Sequence, residues 1–351
     1  MVFDAYADAV LEEIGSRREE IAASSAVNTL YIGGGTPSVL PLEVLSHIVD
    51  SLNMFPEDNP YWREFTVEVN PEDIVEKGEE YVRGLIGIGV NRISMGVQSF
   101  DDGILKWMNR RHDSARAIEA FGILRSCGVD NISIDLIFGL PQLDDGTWIE
   151  TIVRAVELDP EHISAYQLSV DEESTLAEMV SRGEFVEAEE EQCRRQYDIL
   201  CRKLEEAGYL HYEISNFAKP GREAIHNSAY WRRVPYVGLG PGAHSFSDGG
   251  VRSWNSQEIP RRLSDGKLST YSSEIEVLTP EDIRVERIML PLRTSAGLPE
   301  GELRSLAGEE AVDRLLAEGA LELYCLPGQE PMIRNPEDRF FVSDEIISEL
   351  I

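Results

Sequence analysis

Two carboxylates, Glu68 and Asp135, lie near the ends of predicted β-strands and are the clearest candidates for contact with a ligand. Each belongs to a run in which polar and apolar residues alternate, so each strand has one polar face. Enclosing a carboxylate without a partner costs on the order of several kcal/mol, and these strand faces carry no lysine. We therefore expect both carboxylates to contact a ligand, the alternative being polar groups that only bond to one another inside an ordinary barrel.

The polar face recurs on three predicted strands. Parallel strands covered on both sides are normally apolar throughout, whereas here only alternate residues are apolar. The polar positions are Thr66, Glu68 and Asn70, then Ser94, Gly96 and Gln98, then Asn131, Ser133 and Asp135. In α/β barrels the chemistry lies at the carboxyl ends of the strands. The polar residues nearest those ends are Gly34, Gly35, Thr36, Glu68, Gln98, Asp135 and Ser169; for Ser169, a ligand contact and a purely structural place are equally open.

Short strands alternate with helices over the first 218 residues. We predict strands at 29–32, 64–69, 92–97, 131–138, 162–170 and 209–214, and helices near 4–23, 42–54, 74–87, 113–126, 146–157 and 188–207. This alternation is typical of parallel βαβ units. The apolar alternate residues of the strands, such as Val67 and Ile134, should then face the helices. The sequence thus predicts an α/β barrel with a polar interior.

A triple-glycine turn, Gly33-Gly34-Gly35-Thr36-Pro37, follows the first predicted strand. Glycines let the backbone approach a ligand without obstruction by Cβ, and Pro37 stiffens the exit. By itself the turn could be a phosphate cradle or only a tight bend. The sequence has no G-K-[ST] after it and no third glycine at dinucleotide-binding spacing, which excludes a P-loop and a Rossmann fingerprint.

Several longer motifs follow one another at characteristic intervals. They are the glycine turn, Val67–Pro71, Asn91–Phe100, Ile134–Pro141, Tyr166–Leu168 and Tyr212-Glu213. Together they resemble the radical S-adenosylmethionine (SAM) family of oxygen-independent coproporphyrinogen III oxidases and their heme chaperone relatives. The resemblance covers nearly the whole chain and implies a partial (β/α)6 barrel that holds SAM.

The resemblance also implies roles for the strand-end residues. Gly34, Gly35 and Thr36 would meet the methionine ammonium of SAM, with Glu68 and Ser169 nearby, and Gln98 and Asp135 would bind the ribose hydroxyls. Arg110 would pair with the methionine carboxylate, a task that suits a planar guanidinium. From the residues alone, Arg110 is better interpreted as a solvent-exposed arginine at a helix end.

The family's iron–sulfur cluster is held by a C-x-x-x-C-x-x-C motif that this chain lacks. Its four cysteines, Cys127, Cys193, Cys201 and Cys325, have no C-x-x-C spacing, and we interpret them as reduced thiols. The first barrel strand is also missing from the match, whether lost or only omitted. We therefore expect no [4Fe–4S] cluster, no other metal site and no 5′-deoxyadenosyl radical from the chain as written.

A second motif, His226-Asn227-Ser228-Ala229-Tyr230-Trp231, resembles the HNxxYW signature of the heme chaperone branch. A histidine beside aromatic rings suits a flat macrocycle, with the imidazole as an iron ligand. His226, Asn227, Tyr230 and Trp231 are candidate heme residues, and His244, in a nearby glycine-flanked turn, competes with His226. The alternative is a structural cluster in which His226 is only hydrogen-bonded.

We predict three segments: the barrel at 1–218, a linking segment at 219–274, and a mostly helical, winged-helix-like domain at 275–351. In the last, helices at 280–291, 299–306 and 309–318 precede strands at 320–323 and 339–342. The chain carries 64 acidic and 32 basic residues, which disfavours nucleic acid. With no apolar run of membrane length and no signal-peptide pattern, a cytoplasmic location is expected.

Three functions remain open at this stage. The first is a heme chaperone that delivers heme to respiratory acceptor proteins, which the HNxxYW motif favours. The second is an enzyme that oxidatively decarboxylates coproporphyrinogen III. The third is a cluster-free relic that only binds SAM-like nucleosides.

Overall fold

The computed structural model describes residues 2–23, 28–52, 62–171, 174–259, 271–325, 328 and 330–351. Its largest feature is a curled sheet that forms a partial barrel, as predicted. The strands of this sheet are β1 (Thr29–Ile32), β2 (Glu64–Val69), β3 (Arg92–Gln98), β4 (Ile132–Phe138), β5 (His162–Gln167), β6 (Leu210–Glu213) and β7 (Asn216–Ala218).

Strands β1 to β5 lie side by side in chain order and pair in parallel. Strand β7, which the sequence did not predict, pairs antiparallel with β5, and β6 pairs antiparallel with β7. The last predicted strand is therefore present but is separated from β5 by a short returning strand. Strand β1 forms the opposite edge of the sheet.

Helices connect the strands along one side of the sheet. They are α1 (Val2–Ser16), α2 (Arg18–Ala23), α3 (Leu42–Leu52), α4 (Pro71–Gly87), α5 (Asp102–Trp107), α6 (Ser114–Ser126), α7 (Asp145–Glu157), α8 (Thr175–Ser181) and α9 (Glu190–Glu206). Three of them begin at an aspartate whose side chain accepts a backbone N–H of the first turn: Asp101 in α5, Asp113 in α6 and Asp144 in α7. Such caps satisfy otherwise unpaired N–H groups and define where each helix starts.

The apolar alternate residues of the strands form the main core, as the alternation predicted. Phe65, Val67, Ile93, Met95 and Ile134 are among those completely or almost completely buried in it. The polar residues of the same strands face the interior of the curled sheet, which we call the lumen.

A second, three-stranded sheet follows the barrel. Helix α10 (Ile225–Trp231) leads into β8 (His244–Phe246), β9 (Val251–Asn255) and β10 (Ser273–Val277). Helix α1 holds this sheet in place, because the buried Glu13 carboxylate accepts hydrogen bonds from Gly240 N–H and Asn255 Nδ2, each at 2.8 Å.

The remaining residues form a small helical unit with its own apolar cluster. It contains α11 (Pro280–Leu292), β11 (Leu298–Pro299), α12 (Glu300–Ala307), α13 (Glu309–Ala317), β12 (Glu322–Tyr324), β13 (Met332–Arg334) and α14 (Ser343–Ser348). The predicted strand at 339–342 is wrong: these residues lie in a 3-10 helix, Glu337–Val342. Strand β13 pairs with β12 instead. Because β10 spans the boundary predicted at 274/275, the three-segment division stays a prediction.

Among the helices of the described residues, none has the length and apolar character needed to cross a bilayer.

Candidate functional site

Glu68 is held at the carboxyl end of β2 by two hydrogen bonds. Tyr31 donates its hydroxyl to Oε1 at 2.7 Å, and the Gly34 N–H donates to Oε2 at 2.9 Å. The glycine turn and Glu68 therefore lie together at the strand ends, and their contact with a ligand stays a prediction. Gly33 is required by close approach, because a Cβ there would lie 2.3 Å from Tyr31 Cε1 and 2.7 Å from Glu68 Oε1. Gly34 and Gly35 have φ values of +83° and +61°, which favour glycine.

Asp135 lies on β4 in register with Gly96 of β3 and Ser164 of β5. Ser94 donates its hydroxyl to the Asp135 carboxylate, at 3.1 Å to Oδ1 and 3.3 Å to Oδ2. Burial raises the pKa of Asp135 to about 7, although Ser94 and the positive charge of Arg92 oppose the rise. Since Ser94 is also in register with Glu68, Glu68 and Asp135 lie in one lumen, as predicted.

Arg110 reaches the same edge of the sheet from the loop after α5. Its Nη2 donates to Asn70 Oδ1 at 2.9 Å and to the Gly96 carbonyl oxygen at 3.1 Å. Asn70 in turn lies 3.5 Å from the Thr36 hydroxyl through its Nδ2. The interpretation of Arg110 as a solvent-exposed arginine is therefore wrong, because the side chain is half-buried and bonded to the strand ends.

Gln98 ends β3 with a φ of +69°, a conformation that few residues other than glycine adopt. The register between β3 and β4 shifts just before it. A Cβ at Gly96 would lie 2.9 Å from Gln98 Nε2 and 3.3 Å from Arg110 Nη2, so Gly96 leaves space for both side chains. Strain of this kind is typical of ligand sites.

Ser169 does not join this group in the described structure. Strand β5 ends at Gln167 rather than at 170, and Ser169 is exposed beyond it. Two lumen residues that the sequence analysis missed are Tyr31, which binds Glu68, and Arg92, which is buried at the start of β3. The strand alternation places both on polar faces, but it does not show that Arg92 is buried.

His226 is fully engaged by hydrogen bonds. Its Nδ1 lies 2.8 Å from the Thr29 hydroxyl, and its Nε2 lies 2.8 Å from the Tyr230 hydroxyl. Its ring stacks on Tyr31 with a centroid distance of 5.1 Å. Burial lowers the pKa of His226 to about 4. The buried Glu64 fixes the start of α10 by accepting the N–H groups of Ile225 and His226, each at 2.8 Å.

His244 differs from His226 in having an exposed ring, which stacks on Trp254 at 5.8 Å. Both histidines line one cavity of about 330 Å³ beside the edge strand β1. Its wall includes Tyr230 and several apolar side chains from α1 and α3: Val10, Leu45, Ile48 and Leu52. Asn227 and Trp231 of the same motif are not among the lining residues.

The four cysteines all lie in the described residues and are free thiols. They are distributed over the end of α6, the helix α9 and the segment after β12. In the described part of the chain, no three His, Cys, Asp or Glu side chains come together in an arrangement that could hold a metal ion. These cysteines do not fit a cluster site.

The chain resembles known proteins over most of its length. A family model of the Radical SAM superfamily matches residues 3–155. The heme chaperone HemW of Bacillus subtilis is 34% identical over 321 residues, which span 91% of this chain and 82% of that protein. The chain belongs to the HemW family. HemW of Synechocystis is 31% identical over 307 residues, covering 86% of this chain and 72% of that protein.

The structure of the coproporphyrinogen III oxidase HemN from Escherichia coli, a radical SAM enzyme, superposes with a TM-score of 0.77. The two are 21% identical, and the match covers 99% of this chain and 83% of that one. This supports the partial-barrel fold of the HemW-like chain. Membership of the family implies SAM and a [4Fe–4S] cluster. The lumen fits SAM, since carboxylates, an amide and a guanidinium converge at the strand ends.

Proposed function

We propose that this chain binds heme in the cavity beside α10. The observation that carries the proposal is that His226, Tyr230 and His244 line one cavity with an apolar wall. A porphyrin needs a flat apolar contact for its ring and a nitrogen ligand for its iron. Of the two histidines, His244 supports ligation better, because its ring is exposed and both nitrogens of His226 are engaged.

The matching HemW proteins are heme chaperones by name, and we extend that activity to this chain. Bound heme would be released to acceptor proteins, respiratory ones among them. The exposed position of Tyr230 and His244 at the cavity supports release, because a ligand there stays accessible from outside. A cytoplasmic location stays part of the proposal.

We also propose that SAM is bound at the strand ends. Gly34 and Thr36 would take the ammonium, with Glu68 behind them, and Gln98 and Asp135 would take the ribose hydroxyls. Arg110 would take the methionine carboxylate. Hydrogen bonds orient these side chains before a ligand binds. Tyr31 and Gly34 orient Glu68, Ser94 orients Asp135, and Asn70 orients Arg110.

A titration with hemin tests the heme proposal. We expect purified chain to give a saturable Soret band shifted from that of free hemin, because an imidazole ligand alters the iron's ligand field. Coproporphyrinogen III should not be consumed under the same conditions. A Soret band that never saturates, or turnover of coproporphyrinogen III, would contradict the chaperone proposal.

We propose further that the chain's own cysteines hold no [4Fe–4S] cluster, so that SAM binding here lacks the anchor which the cluster supplies in the family. Their spacing and separation support this. After anaerobic incubation with iron and sulfide, we expect the chain to lack the broad visible absorption that is typical of such clusters. Iron and sulfide assays should give fewer than one cluster per chain. Stoichiometric cluster formation that is lost when the cysteines are replaced by serine would refute this.

A further inference from the structure

Arg92 is a buried cation without a contacting partner. Only 2% of its surface is exposed, and its Nε is enclosed and makes no hydrogen bond. Within the described residues, its guanidinium takes part in no hydrogen bond or ion pair. Burial of a charge is strongly unfavourable unless a counter-charge or hydrogen-bond acceptor compensates it. The strand alternation directs Arg92 toward the lumen, on the face that carries Ser94 and Gly96.

A second unsatisfied group lies directly beside it. Thr66 on β2 is the register partner of Arg92 on β3, so the two residues lie at the same level on adjacent strands. Thr66 is completely buried, and its hydroxyl has no hydrogen-bond partner. Both groups can donate a hydrogen bond, and an acceptor at this level of the two adjacent strands would satisfy both.

The carboxylates near Arg92 accept hydrogen bonds from other groups. On β2, Glu64 accepts the two N–H groups at the start of α10, and Glu68 accepts Tyr31 and Gly34. Asp135 accepts Ser94. The closest imidazoles, His162 and His226, are both hydrogen-bonded and have pKa values lowered by burial. None of these groups contacts the Arg92 guanidinium to neutralise it.

We propose that Arg92 and Thr66 hold a small monovalent anion at the base of the lumen, below the Glu68–Asp135 site. A water molecule would accept the two hydrogen bonds but would bring no negative charge into contact with Arg92, whose interaction with Asp135 acts without a hydrogen bond or ion pair. A divalent anion is disfavoured, because Glu64 and Glu68 lie on the same face of β2 on either side of Thr66. The anion is a halide or a carboxylate belonging to a larger ligand.

Chloride-35 NMR line broadening of the full chain, with bromide as competitor, tests the site. We expect saturable broadening with wild-type protein that bromide abolishes. Arg92→Met should weaken chloride binding at least 10-fold, and Thr66→Val, which removes only the hydroxyl, should weaken it several-fold. Arg63→Met is the matched control, since Arg63 is exposed just before β2, and should leave the broadening unchanged.

A second measurement separates the two sources of the anion. If hemin displaces chloride but hemin dimethyl ester does not, a ligand carboxylate takes the site; if neither displaces it, the site holds a free halide. Both results support the proposal. It is overturned if wild-type protein shows no saturable broadening, or if broadening persists in folded Arg92→Met and Thr66→Val proteins. These readings do not depend on the Soret band, so failure here is distinguishable from failure of heme binding.

Discussion

We expect Asp135→Asn to weaken SAM binding about 10-fold or more at pH 8 while leaving the folded chain at least as stable as the wild type. The reason is that a carboxylate accepts from two ribose hydroxyls, and hydrogen bonds to charged groups contribute roughly 1.5–3 kcal/mol each. An amide of the same shape retains only one acceptor oxygen. The stability should not fall, since the burial that raises the pKa of Asp135 to about 7 opposes its ionisation.

The raised pKa of Asp135 sets the direction in which stability and SAM affinity change with pH. A carboxyl whose pKa is higher in the folded than in the unfolded chain holds a proton that the unfolded chain has lost. The free energy of unfolding therefore falls as pH rises from the usual aspartate range to about 7. Affinity for SAM should rise over the pH range around 7, because the ionised form accepts the hydroxyls. The affinity dependence should be absent from Asp135→Asn, whereas the stability dependence should be reduced and not lost, because burial also raises the pKa of Glu213 to about 7.

Calorimetric titration with SAM and thermal unfolding, each at pH 6 and pH 8, measure the two effects. Asp130→Asn is the matched control, because Asp130 is exposed before β4 and outside the lumen. SAM's own ionisation affects all three proteins alike and cancels in the comparison. Equal affinity of the wild-type and Asp135→Asn proteins at pH 8 would show that Asp135 is not a ribose ligand.

The lumen was predictable because strand alternation separates the two faces of each strand. The predicted bounds of β1 and β2 agree with the structure, and the alternate residues Val67 and Ile134 are buried as expected. The alternation of polar and apolar residues could not show which polar side chains contact one another. Arg110 is an example: its charge is evident from the sequence, but its contact with Asn70 depends on how the chain returns from α5 to the strand ends.

Arg92 was missed for a different reason. The sequence shows it on the polar face of β3, but long charged residues are rarely buried, so an arginine at a strand start is ordinarily interpreted as exposed. Its burial depends on the curling of the sheet, which places β1 and α10 against the lumen. Local periodicity carries no information about that curvature.

The C-terminal strand prediction failed because tertiary packing overrode local preference. The segment Arg339-Phe340-Phe341-Val342 has the aromatic and β-branched residues typical of a strand. In the structure Phe340 is buried in the barrel core and meets His211 at a ring-centroid distance of 4.8 Å, while Phe341 meets Tyr197 at 5.4 Å. Two consecutive residues that both face the barrel cannot do so from an extended strand, whose side chains alternate.

His244→Ala should weaken hemin binding about 10-fold or more, equivalent to ~1.4 kcal/mol, and should change the Soret band to that of an iron without this imidazole. His226→Phe should have a much smaller effect. Ligation by His226 requires breaking its bond to Tyr230 or to Thr29, both of 2.8 Å, whereas the exposed ring of His244 needs no such exchange. Trp254 stacks on His244 and orients it at the cavity.

The measurement is a hemin titration followed by absorbance and by electron paramagnetic resonance of the ferric iron, which reports its axial ligands. His47→Ala is the control, because His47 is exposed on α3 and does not line the cavity. Loss of the shifted Soret band in His226→Phe with retention in His244→Ala would transfer the ligand role to His226. If both variants bind hemin as the wild type does, neither histidine of this cavity ligates the iron, and the ligand must be sought among other residues.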